Sequence, residues 1–136
     1  MSIKKGLLAG LAIFIFGIAV NFLITYLFPT LTAEYQNTNI FRSWTDPLMT
    51  AYFAYPFILG LVLSYFWNLV KDKIKGKNPQ DKAMEFAKIY FIIATIPGMF
   101  ISYTSMQLSL TMILVWTIVG YLEALIAGLV FAKVKK

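Results

Sequence analysis

The chain has 136 residues, of which 60% are hydrophobic and 13% charged, against roughly 45–50% and about 25% in a soluble domain. A soluble fold of this length cannot bury so much apolar surface, so the composition excludes an ordinary soluble domain and indicates a membrane protein. The net charge of +6 comes from cations that flank apolar stretches, which is typical of membrane orientation rather than nucleic-acid binding. There is no Cys and no His, which excludes thiolate chemistry and removes the commonest general base and the commonest transition-metal ligand. Serine–lysine or carboxylate chemistry is still open, but no motif supports it, so no catalytic residue, metal site or cofactor is predicted.

The first apolar stretch, residues 6–28, predicts a membrane-spanning helix that stays attached as an uncleaved signal anchor. At about 1.5 Å per residue it extends for about 34 Å, enough to cross a hydrocarbon core of about 30 Å. Gly6, Gly10, Gly17 and Asn21 fall on one helical face, which we expect to pack against another helix. Asn21 is expected to face protein, where its amide forms an interhelical hydrogen bond or contacts a substrate.

Residues 30–46 predict a polar loop on the outer side of the membrane. The string Phe41-Arg-Ser-Trp-Thr-Asp-Pro within this loop is typical of a helix start, with Asp46 or Thr45 as the N-cap and proline at the first helical position. Arg42 and Asp46 are expected to pair at the outer surface.

The second span, residues 47–70, is rich in aromatic side chains, which we interpret as packing and interface anchors rather than ligand contacts. Pro56 lies inside this span and predicts a kink. Gly60, Ser64 and Asn68 recur every four residues and form a small polar edge, of which Ser64 is a candidate intramembrane polar residue.

Residues 71–82 predict a hydrophilic turn between two hairpins, with Asn78 as the N-cap of the next helix and Pro79 as its first residue. Five lysines stand here against two aspartates. They are interpreted as a topology signal on a solvated loop; the alternative is loose binding of anionic lipid headgroups without a defined pocket. The lysines expected to contact headgroups are Lys71, Lys73, Lys75 and Lys77.

The third and fourth spans are predicted at residues 86–104 and 108–132. The uncharged stretch between Lys88 and Glu123 has 34 residues, which as one helix would run about 51 Å and exceed a single crossing. The break is therefore placed at residues 102–107, where polar side chains cluster. Pro97 predicts a kink within the third span.

Glu123 is the only acidic residue deep inside an apolar stretch. A carboxylate in hydrocarbon is costly, so it must be paired, protonated or facing a cavity. Lys88 and Glu123 each lie sixteen residues from the predicted turn, between Thr104 and Gln107, so an antiparallel hairpin places them at similar depth. We therefore expect an ion pair between them; without a partner, Glu123 becomes a candidate proton carrier.

The distribution of cations predicts the orientation. All of the twelve Lys and Arg residues except Arg42 lie at the N-terminus, in the central turn with the start of the third span, or at the C-terminus. The positive-inside rule places these segments in the cytoplasm. The sequence thus predicts a single all-α domain, a four-helix transmembrane bundle of two antiparallel hairpins with both termini cytoplasmic, in a plasma or inner membrane.

Four strings resemble a group of small prokaryotic four-span membrane proteins of uncharacterised function. They are Phe41-Arg-Ser-Trp-Thr-Asp-Pro, Tyr55-Pro-Phe-Ile-Leu-Gly, Pro97-Gly with Tyr103, and Trp116 with Ala127-Gly128. The resemblance implies a four-helix membrane fold and no activity. The chain is also similar to small multidrug exporters in length, span count and possession of one membrane carboxylate. Their key Glu lies in the first span, however, and they show little Lys/Arg bias.

Three functional hypotheses remain open at this point. The first is a non-enzymatic integral membrane protein that serves as an accessory or assembly subunit or contacts lipid. The second is a small transporter that uses Glu123 for cation or proton coupling; because four helices enclose little space for a pathway, it requires a homo-oligomer. The third is a lipid-directed enzyme that uses Glu34, Arg42 and Asp46 at the outer surface.

Overall fold

The computed structural model describes residues 2–134, which contain helices and no β-strand. The α-helices are α1 (Ile3–Leu27), α2 (Pro29–Tyr35), α3 (Tyr55–Val70), α4 (Pro79–Tyr90), α5 (Ile96–Ser105) and α6 (Leu110–Lys133). A 3₁₀ segment, Pro47–Ala54, leads into α3, and a π-helical turn, Phe91–Thr95, joins α4 to α5. The predicted all-α class is confirmed.

Four continuous helical stretches are long and apolar enough to cross a membrane: Ile3–Leu27, Pro47–Val70, Pro79–Ser105 and Leu110–Lys133. The shortest has 24 residues. At about 1.5 Å per residue this is about 36 Å, longer than a hydrocarbon core of about 30 Å. Large apolar side chains such as Phe22 and Phe100 are more than 70% exposed, as lipid contact requires. These features fit a multi-pass integral membrane protein.

The spans pair as two antiparallel hairpins, α1 with α3 and α4 with α6. The pairing of α1 with α3 follows from glycines that let the two backbones approach closely. A Cβ atom at Gly60 would lie only 2.6 Å from the backbone nitrogen of Gly10. Both described chain ends and residues 71–78 therefore lie at one end of the bundle, called here the lysine-rich end. Residues 28–46 and 106–109 lie at the other, called the aromatic end.

Polar side chains begin the helices where the sequence predicts them. The backbone N–H of Leu48 donates to Asp46 Oδ1 at 2.9 Å, so Asp46 rather than Thr45 is the cap before Pro47. The backbone N–H of Asp81 donates to Asn78 Oδ1 at 2.8 Å. These side-chain oxygens satisfy amides that have no partner within the first helical turn.

Two local predictions were wrong. Residues 30–46 are not entirely loop, because α2 occupies their start and buries Leu31 against Leu108 and Met112. Pro56 does not kink the middle of an α-helix. It lies in the first turn of α3, where a proline is tolerated because its missing N–H would have no intrahelical partner, and the preceding turns are 3₁₀.

Candidate functional site

Glu123 lies near the middle of the fourth span. It is thirteen residues after the first residue of α6 and ten before the last, which places it about 20 Å and about 15 Å from the two helix ends. The side chain is half-buried. The buried edge of α6 runs through Ala124, Ala127 and Phe131, so Glu123 occupies the flank of the packed face rather than its centre.

Three tyrosines lie within electrostatic range of the Glu123 carboxylate: Tyr52, Tyr55 and Tyr90. Tyr52 and Tyr55 are three residues apart across the 3₁₀ segment and its junction with α3, so they share one side of that span. Tyr90 is the last residue of α4. We call these four residues the tyrosine–carboxylate cluster. It includes side chains from the second, third and fourth spans.

Within residues 2–134, the Glu123 carboxylate has neither an ion pair nor a hydrogen bond. Lys88 instead pairs with Glu85, with 2.7 Å between Nζ and Oε2. The predicted Lys88–Glu123 pair was therefore wrong. The buried face of α4 is formed by Ala83, Phe86 and Ala87, and Lys88 is turned about 100° away from Ala87, so it is exposed.

The π-helical turn lies directly beside this cluster. Pro97 has no N–H to donate, and its ring crowds the carbonyl of Ile93, so regular α-helical bonding cannot continue through this point. The backbone N–H of Ile96 donates instead to the carbonyl of Phe91, five residues back. The predicted break in regularity is present, and its form is a π turn. Such turns occur frequently at functional sites.

The π turn packs against α6 one helical turn before Glu123. A Cβ atom at Gly120 would lie 3.2 Å from Thr95 Cγ2, so the side chain of Thr95 sits on the glycine. The rings of Phe91 and Tyr121 meet edge to face, 5.7 Å apart. A conformational change in the π turn would therefore displace residues of α6 that lie next to Glu123.

The other two candidate intramembrane residues have different surroundings. Ser64 is buried, and its Oγ donates to the carbonyl oxygen of Ser2 at 2.9 Å, which ties the start of α1 to α3. Its position is structural. Asn21 is exposed; its backbone carbonyl accepts a hydrogen bond from Thr25 Oγ1 at 2.8 Å, and its side chain forms none with another described residue. The prediction that Asn21 faces protein is wrong within this chain.

At the aromatic end, the predicted surface pair is confirmed. Arg42 Nη1 donates to Asp46 Oδ2 at 2.9 Å. The backbone N–H of Leu48, and next the Arg42 guanidinium, hold the pKa of Asp46 below its usual value. Glu34 is engaged elsewhere, because its Oε2 accepts the backbone N–H of Ser109 at 2.9 Å. These three residues therefore serve as helix caps and a surface pair.

An open groove of about 850 Å³ lies at the lysine-rich end. It is lined by three cations, two carboxylates and one aromatic ring that lies deeper in the bundle: Lys75, Lys77, Lys88, Asp81, Glu85 and Tyr121. The sequence predicted no defined pocket here. The groove exists because the central turn folds beside the exposed flank of α4.

Sequence reasoning found Glu123 but missed the tyrosines around it. One signal was available: Ala83, Ala87 and Tyr90 follow the spacing of one helical face, and the two alanines are buried against α6. Tyr52 and Tyr55 share a side in either 3₁₀ or α-helical geometry because they are three residues apart, but nothing in the sequence distinguishes them from the other aromatic residues of this span.

No family model, curated protein or solved structure matched the chain. The site must therefore be interpreted through its own chemistry.

Proposed function

We propose that this protein is a small transporter of the plasma or inner membrane that carries protons, in which Glu123 takes up and releases the proton. It carries no enzymatic activity. One observation carries the proposal: an intramembrane carboxylate near mid-membrane has no cationic partner among the described residues. An ionisable side chain at this depth is expensive, and proteins retain such groups mainly along ion and proton pathways.

The tyrosine–carboxylate cluster supplies groups suited to proton transfer. Each phenolic hydroxyl can donate and accept a hydrogen bond, so it can serve the carboxyl group in either protonation state. Tyr52 lies towards the aromatic end, and Tyr90 belongs to the third span. A proton on Glu123 removes the charge that would otherwise oppose movement of this carboxyl group through a medium of low dielectric constant.

The π turn and Pro97 provide a place where the third span can change conformation. Regular α-helical hydrogen bonding is already interrupted there, so a shift of this segment breaks few additional bonds. Because Thr95 and Phe91 pack on α6 at Gly120 and Tyr121, such a shift would move the walls beside Glu123. Such a movement would open the Glu123 carboxyl group to one side of the membrane and close it to the other.

The test is a proton-flux measurement on purified protein in liposomes that contain a pH-sensitive dye. With a potassium ionophore present to compensate charge, wild-type protein is expected to dissipate an imposed pH gradient faster than protein-free liposomes. Glu123→Gln keeps the size of the side chain and removes its titration, so the rate is expected to fall to that of protein-free liposomes.

Glu85→Gln is the matched control, since Glu85 is a second glutamate in a span but is partly exposed and paired with Lys88. This variant is expected to retain the wild-type rate. Wild-type liposomes no faster than empty ones, or a Glu123→Gln variant as fast as wild type, would contradict the proposal.

A second candidate, a lipid-contacting accessory subunit, is favoured by the lysine-lined groove. Its lysines lie at one end and Tyr121 lies deeper, which suits a headgroup phosphate and an acyl chain respectively. The flux assay discriminates between the two candidates. Wild-type protein that is inert in the assay would favour the accessory role.

A further inference from the structure

Asn21 is the most conspicuous polar group on the lipid-facing surface of α1. It lies six residues before the end of the helix, about 9 Å along the axis, and therefore inside the hydrocarbon region of a centred span. Its side chain is exposed and makes no hydrogen bond with another described residue. An amide left in hydrocarbon without a partner is costly, so something outside this chain must satisfy it.

The face that carries Asn21 is packed over only half of its length. A Cβ atom at Gly10 would lie 2.7 Å from the Cα of Phe57, whereas one at Gly17 would meet nothing within 4 Å. Seven residues return a helix to within about 20° of the same direction, so Gly10 and Gly17 share a face and Asn21 lies beside them. Contact with the second span thus ends between Gly10 and Gly17.

The local structure of the second span explains why contact ends there. The ring of Phe57 packs against that of Phe14, with centroids 6.0 Å apart. These bulky side chains separate the two spans on the side of Gly10 that faces the aromatic end. The stretch before Tyr55 is the 3₁₀ segment, which has no buried residue. The half of α1 towards the aromatic end is therefore left with a small residue and an amide facing outwards.

We propose that this face binds a second copy of the chain, with α1 packed against α1 of its partner around Gly17 and Asn21. In a two-fold symmetric dimer with both copies inserted in the same direction, equivalent residues lie at equal depth. The two Asn21 side chains then meet across the axis without any adjustment of register. Each amide carries both a donor and an acceptor, so the pair is self-complementary. Gly17 permits the close backbone approach that such a pair needs.

A second copy fits this face better than an unrelated partner. The surface presents one short amide among apolar side chains and no charge, so it offers no charge pattern for a different protein to match. Among the described residues, the side chain on this face that lacks a hydrogen-bond partner is the Asn21 amide, which an identical copy satisfies. The inference does not rest on the proposed transport function, because the dimer contact and Glu123 lie on different spans.

The experiment measures energy transfer between two labelled pools of full-length protein in liposomes, over a range of protein-to-lipid ratios. The chain has no Cys, so Thr38→Cys supplies one label site in the exposed loop. Association is expected for the labelled protein. Asn21→Leu is expected to weaken it about 3- to 30-fold, the range that measured interhelical hydrogen bonds span.

Two further variants separate the interface from folding. Gly17→Leu should abolish association while leaving the thermal midpoint of the monomer unchanged, because a Cβ atom at this position meets nothing within 4 Å in its own chain. Phe22→Ala alters a 75% exposed side chain at the same depth but another direction, and should associate as the parent protein does. A monomer at all ratios, or association unaffected by Asn21→Leu and Gly17→Leu, would overturn the proposal.

Discussion

Tyr35 and Trp116 link α2 to the fourth span through a hydrogen bond between their side chains. The indole Nε1–H of Trp116 donates to the Tyr35 hydroxyl, and the ring of Phe41 packs against both aromatic rings. Burial raises the pKa of Tyr35 above 10.0, although the hydrogen bond from Trp116 partly opposes this shift. The phenol therefore ionises more readily in the unfolded chain than in the folded one.

Tyr35→Phe is expected to lower stability by about 1 kcal/mol at neutral pH, because the indole N–H loses its acceptor. The wild-type protein should lose stability as the pH rises above about 10, where only the unfolded phenol ionises, and the variant lacks this contribution. The difference between the two proteins should thus shrink at alkaline pH. Thermal unfolding in detergent at several pH values measures this.

Tyr26→Phe is the control for that prediction, since Tyr26 is 85% exposed and its hydroxyl has no partner among the described residues. Its thermal midpoint should match that of the wild type across the same pH range. An equal effect of both substitutions would show that the contact between Tyr35 and Trp116 contributes nothing particular.

At the scale of helices, the α1–α3 pair depends on Gly60. A Cβ atom there would lie within 3 Å of both the nitrogen and the Cα of Gly10, and backbone atoms cannot move aside as a flexible side chain can. Gly60→Ala is therefore expected to push the two helices apart and destabilise the protein by about 1–3 kcal/mol, the usual cost of overpacking. The shift in thermal midpoint in detergent measures the effect.

Gly98→Ala is the matched substitution in another span. A Cβ atom at Gly98 meets nothing within 4 Å, so the methyl group fits and the helix gains from the better propensity of alanine. It should leave the midpoint unchanged or raise it slightly. Gly60→Ala behaving in the same manner would mean that the two helices are not held at the distance described.

Helix ends could be predicted from sequence more reliably than the kind of helix between them. Asp46 and Asn78 can be recognised as N-caps from their residue type and from the proline that follows, because capping is a local interaction. The 3₁₀ segment and the π turn have no such local signature. A proline can be followed or preceded by a kink, a 3₁₀ run or a π turn. Which of these forms at Pro56 or Pro97 depends on how the surrounding backbone rearranges its hydrogen bonds, and this is not visible in the sequence.

Across the whole molecule, the depth of a residue along its span could be predicted from sequence, but the direction in which its helix turns it could not. Counting residues from the turn placed Lys88 and Glu123 at similar depth, but Lys88 faces away from α6 and pairs with Glu85. Residue counts measure rise along an axis, whereas contact also requires two helices to present the right sides to each other. The tyrosine–carboxylate cluster was missed because it joins three spans whose rotations are set only by packing.

The orientation of the bundle in the membrane is the prediction with the largest consequence for the whole molecule. Antiparallel pairing places residues 71–78 at the same end as both described chain ends, and the positive-inside rule predicts that this lysine-rich end faces the cytoplasm. Thr38 lies at the opposite end and is exposed.

In intact cells, Thr38→Cys should react with a membrane-impermeant maleimide. Lys77→Cys, exposed at the lysine-rich end, should react only after the membrane is permeabilised. The reverse pattern would mean that the lysines face outwards, and the direction of any proton transfer through Glu123 would have to be reversed with them.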